Sequence, residues 1–314
     1  MLRPTYRHLY GPVPSRRLGR SLGIDMVPHK TCCYDCVYCQ LGPTTNHTMK
    51  VAEYTPAHEI ILDLERWLRL DGEADYLTFA GSGEPTLQDR LPDIMAVARE
   101  HSDIPLALLT NGALLWTEHG RSCAMLADVV MPSLDAATPE TFERVNRPCP
   151  GLALERIIEG LIETTAATPG ETWLEVMLVR GVNDSDAEIE AIAAVAERMA
   201  PERIQINTVV RPAPSGAQRV SDETLAHACD LLGPRAEVIP SAWERGAPTG
   251  ARRSEEDVMA LLACRPCRLE DVANGLDMHL NEAGKYVQHL LSEGRISQRL
   301  QDGRTYYIGA DVAQ

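Results

Sequence analysis

Four cysteines fall within eight residues, Cys32-Cys33-Tyr34-Asp35-Cys36-Val37-Tyr38-Cys39, and three of them, Cys32, Cys36 and Cys39, stand at CxxxCxxC spacing. Thiolates crowded in this way bind metal. A 4Fe-4S cluster normally takes four cysteine ligands, so three would leave one iron open to an outside ligand. A closed zinc site wants four ligands, commonly as paired CxxC or CxxC/HxxxH units, and the loop contains no such partner pair. The iron-sulfur reading is therefore preferred, and an open metal position implies chemistry rather than a structural staple. Cys33 cannot easily present its sulfur to the same cluster corner as its neighbour and is read as a bystander.

Such a loop must be carried by rigid elements. Between residues 20 and 210 short apolar runs alternate with amphipathic segments, the pattern of repeated βα units and a parallel sheet. Six strands are expected, at 22–26, 76–80, 106–110, 129–133, 173–178 and 204–209. Helical stripes lie between them, such as Ile60, Ile61, Leu64, Trp67 and Leu68, and Ile189, Ile192, Ala193, Ala196 and Met199. A polar motif follows every strand: the cysteine loop, Gly81-Ser82-Gly83-Glu84-Pro85, Thr110-Asn111-Gly112, Ser133-Leu134-Asp135, Arg180-Gly181-Val182-Asn183 and Arg211-Pro212. A (β/α) barrel builds its site at the carboxyl ends of its strands. The expected fold is thus α/β, a partial (β/α)6 TIM-like barrel.

The cysteine motif, with the aromatic Tyr38 before its last cysteine, resembles that of the radical S-adenosylmethionine (SAM) superfamily. The segment from Tyr10 to Asp25, YGPVPSRRLGRSLGID, is similar to the opening of an Fe-S oxidoreductase group in it that includes relatives of the wybutosine-forming tRNA enzyme. The likeness covers roughly residues 10 to 240. It implies a 4Fe-4S cluster on Cys32, Cys36 and Cys39, SAM on the fourth iron, and reductive cleavage of SAM to methionine and a 5′-deoxyadenosyl radical. An electron donor of flavodoxin or ferredoxin type would then be needed. Gly81, Ser82, Gly83 and Glu84 resemble the GGEP-type motif that receives the SAM ammonium group, with Ser in its second position.

Among the other post-strand residues, Asn111, after the third strand, is a candidate cofactor contact. Ser133 and Asp135 suit a ribose, although Asp135 could instead cap a helix starting near Thr138. Arg180 offers a fork to the SAM carboxylate, and Gly181-Val182-Asn183 an adenine shelf, with Asn183, Asp184 and Ser185 competing as the next helix cap. Arg211 could serve a substrate or brace the Pro212/Pro214 turn. The run Asn146-Arg147-Pro148-Cys149-Pro150-Gly151 reads as a rigid loop between the fourth and fifth strands. Two departures weaken a transfer of the tRNA substrate: residues 1–31 contain no cysteine, and Lys30, Lys50 and Lys285 are the only lysines. The substrate is left as a peptide, protein, RNA or small metabolite.

With 314 residues and 44% hydrophobic content the chain can fill a large core and a smaller one. Residues 1–240 are expected to form the catalytic domain, 241–253 a Gly- and Pro-containing linker, and 254–314 three helices and a hairpin resembling a winged-helix domain. Cys264 and Cys267 form a lone CxxC there, read as a helix end. The last unit invites a rival function, an iron-sulfur-sensing winged-helix DNA-binding regulator. From Gly250 to Gln314, however, eight Lys/Arg face ten Asp/Glu, a formal charge of -2, which makes duplex DNA an unlikely partner. The whole chain carries -15, with a local basic reversal over residues 1–30. No apolar run reaches a membrane span, no signal peptide is legible, and nine cysteines without a pairing framework suit a reducing compartment, so the cytoplasm is expected.

Overall fold

The computed structural model describes residues 6–210, 213, 215–240, 255–264, 266–276, 278, 280–301 and 303–310. Arg211-Pro212, Pro214 and the expected linker lie outside the described residues. All six expected strands are present. In chain order the strands are β1 (Leu9–Ser15), β2 (Gly19–Ile24), β3 (Thr31–Cys32), β4 (Asn46–His47), β5 (Tyr76–Phe79), β6 (Leu106–Thr110), β7 (Val129–Pro132), β8 (Glu171–Leu178), β9 (Arg203–Thr208), β10 (Ala236–Val238), β11 (Ile296–Gln301) and β12 (Arg304–Gly309). The helices are α1 (Ala57–Leu70), α2 (Leu91–His101), α3 (Glu118–Ala124), α4 (Pro139–Val145), α5 (Leu154–Ala167), α6 (Asp186–Met199), α7 (Asp222–Leu232), α8 (Glu255–Cys264), α9 (Leu269–Gly275) and α10 (Leu280–Ser292).

The main sheet runs β1-β2-β5-β6-β7-β8-β9-β10. From β2 onward every pairing is parallel, and β1 returns antiparallel along β2. A short strand beyond the six expected, β10, pairs parallel with β9 and is the seventh of the parallel set. The sheet stays open between β1 and β10, so the fold is a partial TIM-like barrel. Strand periodicity divides its two faces. Leu22, Ile24, Leu77, Phe79, Leu106, Leu108, Leu174, Val176, Leu178, Ile204 and Ile206 share the large core with the helices. Helix α1 buries Ala57, Ile60, Leu64 and Trp67 there at helical spacing, while α6 starts at the Ser185 cap, which accepts from Glu188 N, and buries Ile189, Ile192 and Met199.

The alternate strand residues line the other face. Ala107, Val129, Met131 and Trp173 form a small apolar layer near the amino ends of the strands, and Leu18, from the turn between β1 and β2, packs into it. A polar layer lies next along the strands: Ser21 Oγ and Thr78 Oγ1 are 2.6 Å apart, and Arg17 Nη1 donates to Glu175 Oε2 at 2.6 Å. Asn207 Nδ2 donates to Glu175 Oε1 at 3.0 Å. Burial alone would raise the Glu175 carboxyl, but Arg17, Asn207 and Arg16 together hold it below the usual carboxylate range.

Helices α8, α9 and α10 with the β11–β12 hairpin bury Val258, Leu261, Leu262, Val272, Val287, Leu290 and Ile296, and Val13 of β1 enters the same cluster. Cys267 is buried, and its backbone pairs with Tyr307. Among the described residues no helix is long and apolar enough to cross a membrane.

The plug at the base of the sheet is testable. Leu18 is 3% exposed. Leu18→Ala should cost about 2–5 kcal/mol, the range for buried leucine truncations, read as a lower urea midpoint at constant m-value. A loss under about 0.5 kcal/mol, typical of a surface change, would remove Leu18 from the core.

Candidate functional site

The cysteine loop follows β2 and makes little regular structure of its own, only the two-residue parallel pairing of β3 with β4. Its backbone is instead sewn to neighbouring loops. Lys30 N donates to Ser82 O at 2.7 Å and Glu84 N to Thr31 O at 3.0 Å, which ties it to the end of β5. Asp35 N donates to Asn146 O, Val37 N to Val145 O and Cys149 N to Cys33 O, each at 2.9 Å, which ties it to the end of α4. The four cysteines separate clearly. Cys33 is fully buried in the main core, whereas Cys32, Cys36 and Cys39 are only partly buried.

Each of those three sulfurs meets one side-chain N–H from a different segment. Lys30 Nζ lies 2.9 Å from Cys39 Sγ, Asn111 Nδ2 3.4 Å from Cys32 Sγ, and Asn146 Nδ2 3.4 Å from Cys36 Sγ. Burial pushes the Cys32 thiol up to about 12, with Glu84 adding to the shift and Lys30 opposing it, and lifts Cys36 well above the ordinary thiol value. Deprotonation there needs a compensating positive charge, which a metal supplies.

Gly81 to Glu84 form a cradle against the residues that lead into the loop. Gly81 has φ +146°, and a Cβ there would fall 2.3 Å from Asp25 Oδ1. A Cβ on Gly83 would fall 2.0 Å from the Thr31 carbonyl oxygen. Backbone can approach this closely only without side chains. Asp25 accepts from Ser82 N at 3.1 Å and Ser82 Oγ at 2.5 Å. The Glu84 carboxylate is buried: Oε1 accepts from Thr86 N, Thr86 Oγ1 and Thr110 Oγ1, and Oε2 from Asn111 N at 2.7 Å. Glu84 also caps the short 3-10 turn Pro85–Leu87.

Asp135 sits at the centre of a second network. Its Oδ2 accepts from Tyr38 OH at 2.5 Å and Asn146 Nδ2 at 2.8 Å, and its Oδ1 from Met177 N at 3.0 Å. It does not cap α4, whose N-cap is Thr138. Asn183 is buried and saturated as well. Its Nδ2 donates to the carbonyls of Asp135 and Met177, both at 2.8 Å, and its Oδ1 accepts from Val179 N at 2.7 Å. Ser185 takes the cap of α6 and Asp184 accepts from Gly181 N. Ser133, half-buried, follows β7, and Arg180 is exposed after β8.

The structure therefore brings Tyr38, Asp135, Asn183 and the cysteine loop into one hydrogen-bonded unit, and Gly81, Ser82, Gly83, Glu84 and Asn111 into another. The side chains of Arg180 and Ser133 are hydrogen-bonded to neither. Sequence reasoning misses Asp25, Lys30 as a sulfur donor, and Asn146, whose proline-rich surroundings read only as a rigid loop. A lysine two residues before the first cysteine of the loop, in a chain with three lysines, is the available signal for Lys30.

The radical SAM superfamily pattern matches residues 26–193, more than half of the chain, and the chain belongs to that superfamily. It is 32% identical to the UPF0026 protein MJ1312 of Methanocaldococcus jannaschii over 95% of both chains. A Brachyspira hyodysenteriae protein named GTPase Obg is 34% identical over 96% of this chain but only 45% of its own length, so this chain spans less than half of that protein. In fold, a radical SAM methyltransferase from Sphaerobacter thermophilus superposes with a TM-score of 0.52 at 17% identity, over 69% of this chain and 66% of that one. The protein is an enzyme of this superfamily, whose cofactors are SAM and an iron-sulfur cluster and whose members draw on an external electron donor. The DNA-binding regulator is not favoured.

Burial raises the Asp135 carboxyl from 3.8 to about 6, against the lowering effect of its three donors. The folded state then binds more protons than the unfolded chain between those values. Its contribution favours folding at low pH and is lost as pH climbs through about 6. The shift corresponds to about 3 kcal/mol. Urea unfolding across pH 4 to 7 should show wild type losing up to ~3 kcal/mol of stability relative to Asp135→Asn. A difference that stays flat with pH would exclude a raised Asp135.

Proposed function

We propose that this protein is a radical SAM enzyme in which Cys32, Cys36 and Cys39 hold one 4Fe-4S cluster and the loops after β5 to β8 hold SAM against it. One observation carries the reading. Of four cysteines in one loop, the three at CxxxCxxC spacing are partly open and each meets a side-chain N–H, while the fourth is sealed in the core. Three soft thiolates with donors around their sulfurs fit an iron-sulfur cluster with one open iron. When bound, the cluster supplies the electron that splits the SAM sulfonium into methionine and a 5′-deoxyadenosyl radical.

The chain's own residues bind, orient and shield. Glu84 Oε1 is saturated, but Oε2 accepts one hydrogen bond and keeps capacity for an ammonium group. The Gly81–Glu84 backbone offers close approach beside it. Ser133 is suited to the ribose and Arg180 to the carboxylate, since its exposed guanidinium forms no ion pair among the described residues. Asp135 and Asn183 act in this reading through Tyr38 and Met177, by holding the cluster loop to the ends of β7 and β8. Electrons come from a flavodoxin or ferredoxin type donor, and unpaired thiols suit the cytoplasm. The α8–β12 unit, read as a winged helix and lying in a segment (residues 250–314) of formal charge -2, positions a protein or peptide rather than duplex DNA. The substrate class stays among peptide, protein, RNA and small metabolite.

Anaerobic reconstitution tests the assignment. Wild type and Cys33→Ala should take up about four irons per chain and, once reduced by dithionite, release 5′-deoxyadenosine from SAM. The Cys32/Cys36/Cys39 triple alanine variant should do neither. Full iron and the visible cluster absorption in that variant would overturn the ligand set, and deoxyadenosine release unchanged in Glu84→Ala and Arg180→Ala would remove those two residues from the SAM site.

A further inference from the structure

We infer that Lys30, with Asn111 and Asn146 in support, sets the reduction potential of the cluster by donating N–H···S hydrogen bonds, one to each cysteine ligand. The inference rests on the cluster assignment above and goes beyond it. Hydrogen bonds to the sulfurs, and charge near them, are among the main determinants of iron-sulfur potentials. Reduction adds one negative charge to the cluster, so every donor aimed at a sulfur favours the reduced form.

Lys30 dominates the three for two reasons. It is the shortest contact, 2.9 Å against 3.4 Å, and the only cationic donor, and charge-assisted hydrogen bonds are about twice as strong as neutral ones. It is also buried, at 4% exposure, where charges are weakly screened. A buried ammonium is costly unless paired. Among the described residues Lys30 has no carboxylate partner, and Cys39 Sγ is the acceptor its ammonium reaches. The Lys30 backbone is fixed on both sides. Its φ is +58°, its N donates to Ser82 O, and its O accepts from Thr45 N at 3.2 Å and Asn46 N at 3.1 Å. A lysine placed this way costs folding energy in the absence of an anionic partner, and a thiolate-bound cluster provides one.

Asn111 and Asn146 give the same effect a structural link. Asn111 N also donates to Glu84, and Asn146 Nδ2 is shared between Cys36 and Asp135. The sulfur donors are therefore fixed by the two carboxylates that organise the site, and Lys30 by the Gly81–Glu84 cradle itself.

The test is an anaerobic redox titration of the reconstituted full-length protein, followed by the paramagnetic resonance signal of the reduced cluster. At the potential where wild type is half reduced, Lys30→Met should show a reduced-to-oxidised ratio about tenfold lower, equivalent to 59 mV for a one-electron couple. Asn111→Ala should shift in the same direction by less, and Lys30→Arg, which keeps charge and donor, should return towards wild type. A purely structural Lys30 would change iron content or thermal stability without moving the midpoint. Lys30→Met with full iron and a wild-type midpoint overturns the inference. If Lys30→Met holds too little iron to titrate, Lys30→Gln and Asn111→Ala decide it, and wild-type midpoints in both overturn it equally. A wild-type protein that assembles no cluster would refute the functional assignment instead, whereas full iron and SAM cleavage with unmoved midpoints would refute only the role of these donors.

Discussion

The cysteine loop must present three sulfurs in a fixed arrangement although it has almost no secondary structure to satisfy its own backbone. Buried backbone groups left unpaired are costly, so the loop is shaped by whatever pairs with it. The end of β5 supplies Ser82 O, and Glu84 N donates back to Thr31 O; the end of α4 supplies the carbonyls of Val145 and Asn146, and Cys149 N donates back to Cys33 O. This explains why Gly83 has no room for a side chain and why the fourth cysteine is sealed inside. The packing that fixes the loop at Cys33 is what directs the other three sulfurs elsewhere.

A parallel sheet then brings distant sequence segments to one end. Glu84 joins β5 to β6 through Thr110 and Asn111, and Asp135 joins β7 to β8 through Met177 and to the cysteine loop through Tyr38. Both carboxyls are raised by burial, and both are held by several donors. The two networks meet at the sulfurs, because Asn111 belongs to one and Asn146 to the other. Each carboxylate is thus linked through an asparagine to one of these sulfurs.

The architecture is legible in the sequence where chemistry and periodicity coincide. Six strands can be read because their apolar runs each end in a polar motif, and the helix stripes at Ile60–Trp67 and Ile189–Met199 bury the faces their spacing implies. Strand β1 is not legible because Gly11, Pro12 and Pro14 interrupt its alternation, and its register shifts between Tyr10 and Val13. Strand β10 has only three residues. In the site, residues within recognisable motifs can be picked out from sequence, but their hydrogen-bond partners cannot. Asp135 can be picked out from its place after a strand, but the hydrogen bonds its carboxylate accepts from Tyr38, Asn146 and Met177 cannot. Asn146 and Lys30 escape because a hydrogen bond to sulfur depends on tertiary placement and leaves no spacing pattern.

The antiparallel β1 connects these features to the rest of the molecule. On one side its turn carries Arg17 to Glu175 and Leu18 into the apolar layer of the sheet; on the other, Val13 completes the core of the α8–β12 unit. A second tie runs from Tyr306 OH to Val210 O, just beyond β9, and Ser215 Oγ donates to the carbonyl of Val37, between Cys36 and Cys39. A buried ion pair such as Arg17–Glu175 is weak evidence for stability, since desolvation offsets much of its attraction. Its effect is better seen in the polarity of its surroundings. With Glu175 held below the usual carboxylate range and paired with Arg17 and Asn207, the layer beyond Leu18 is polar. The same hairpin thus closes the base of the barrel with Leu18, sets a polar layer above it through Arg17, and anchors the C-terminal unit through Val13.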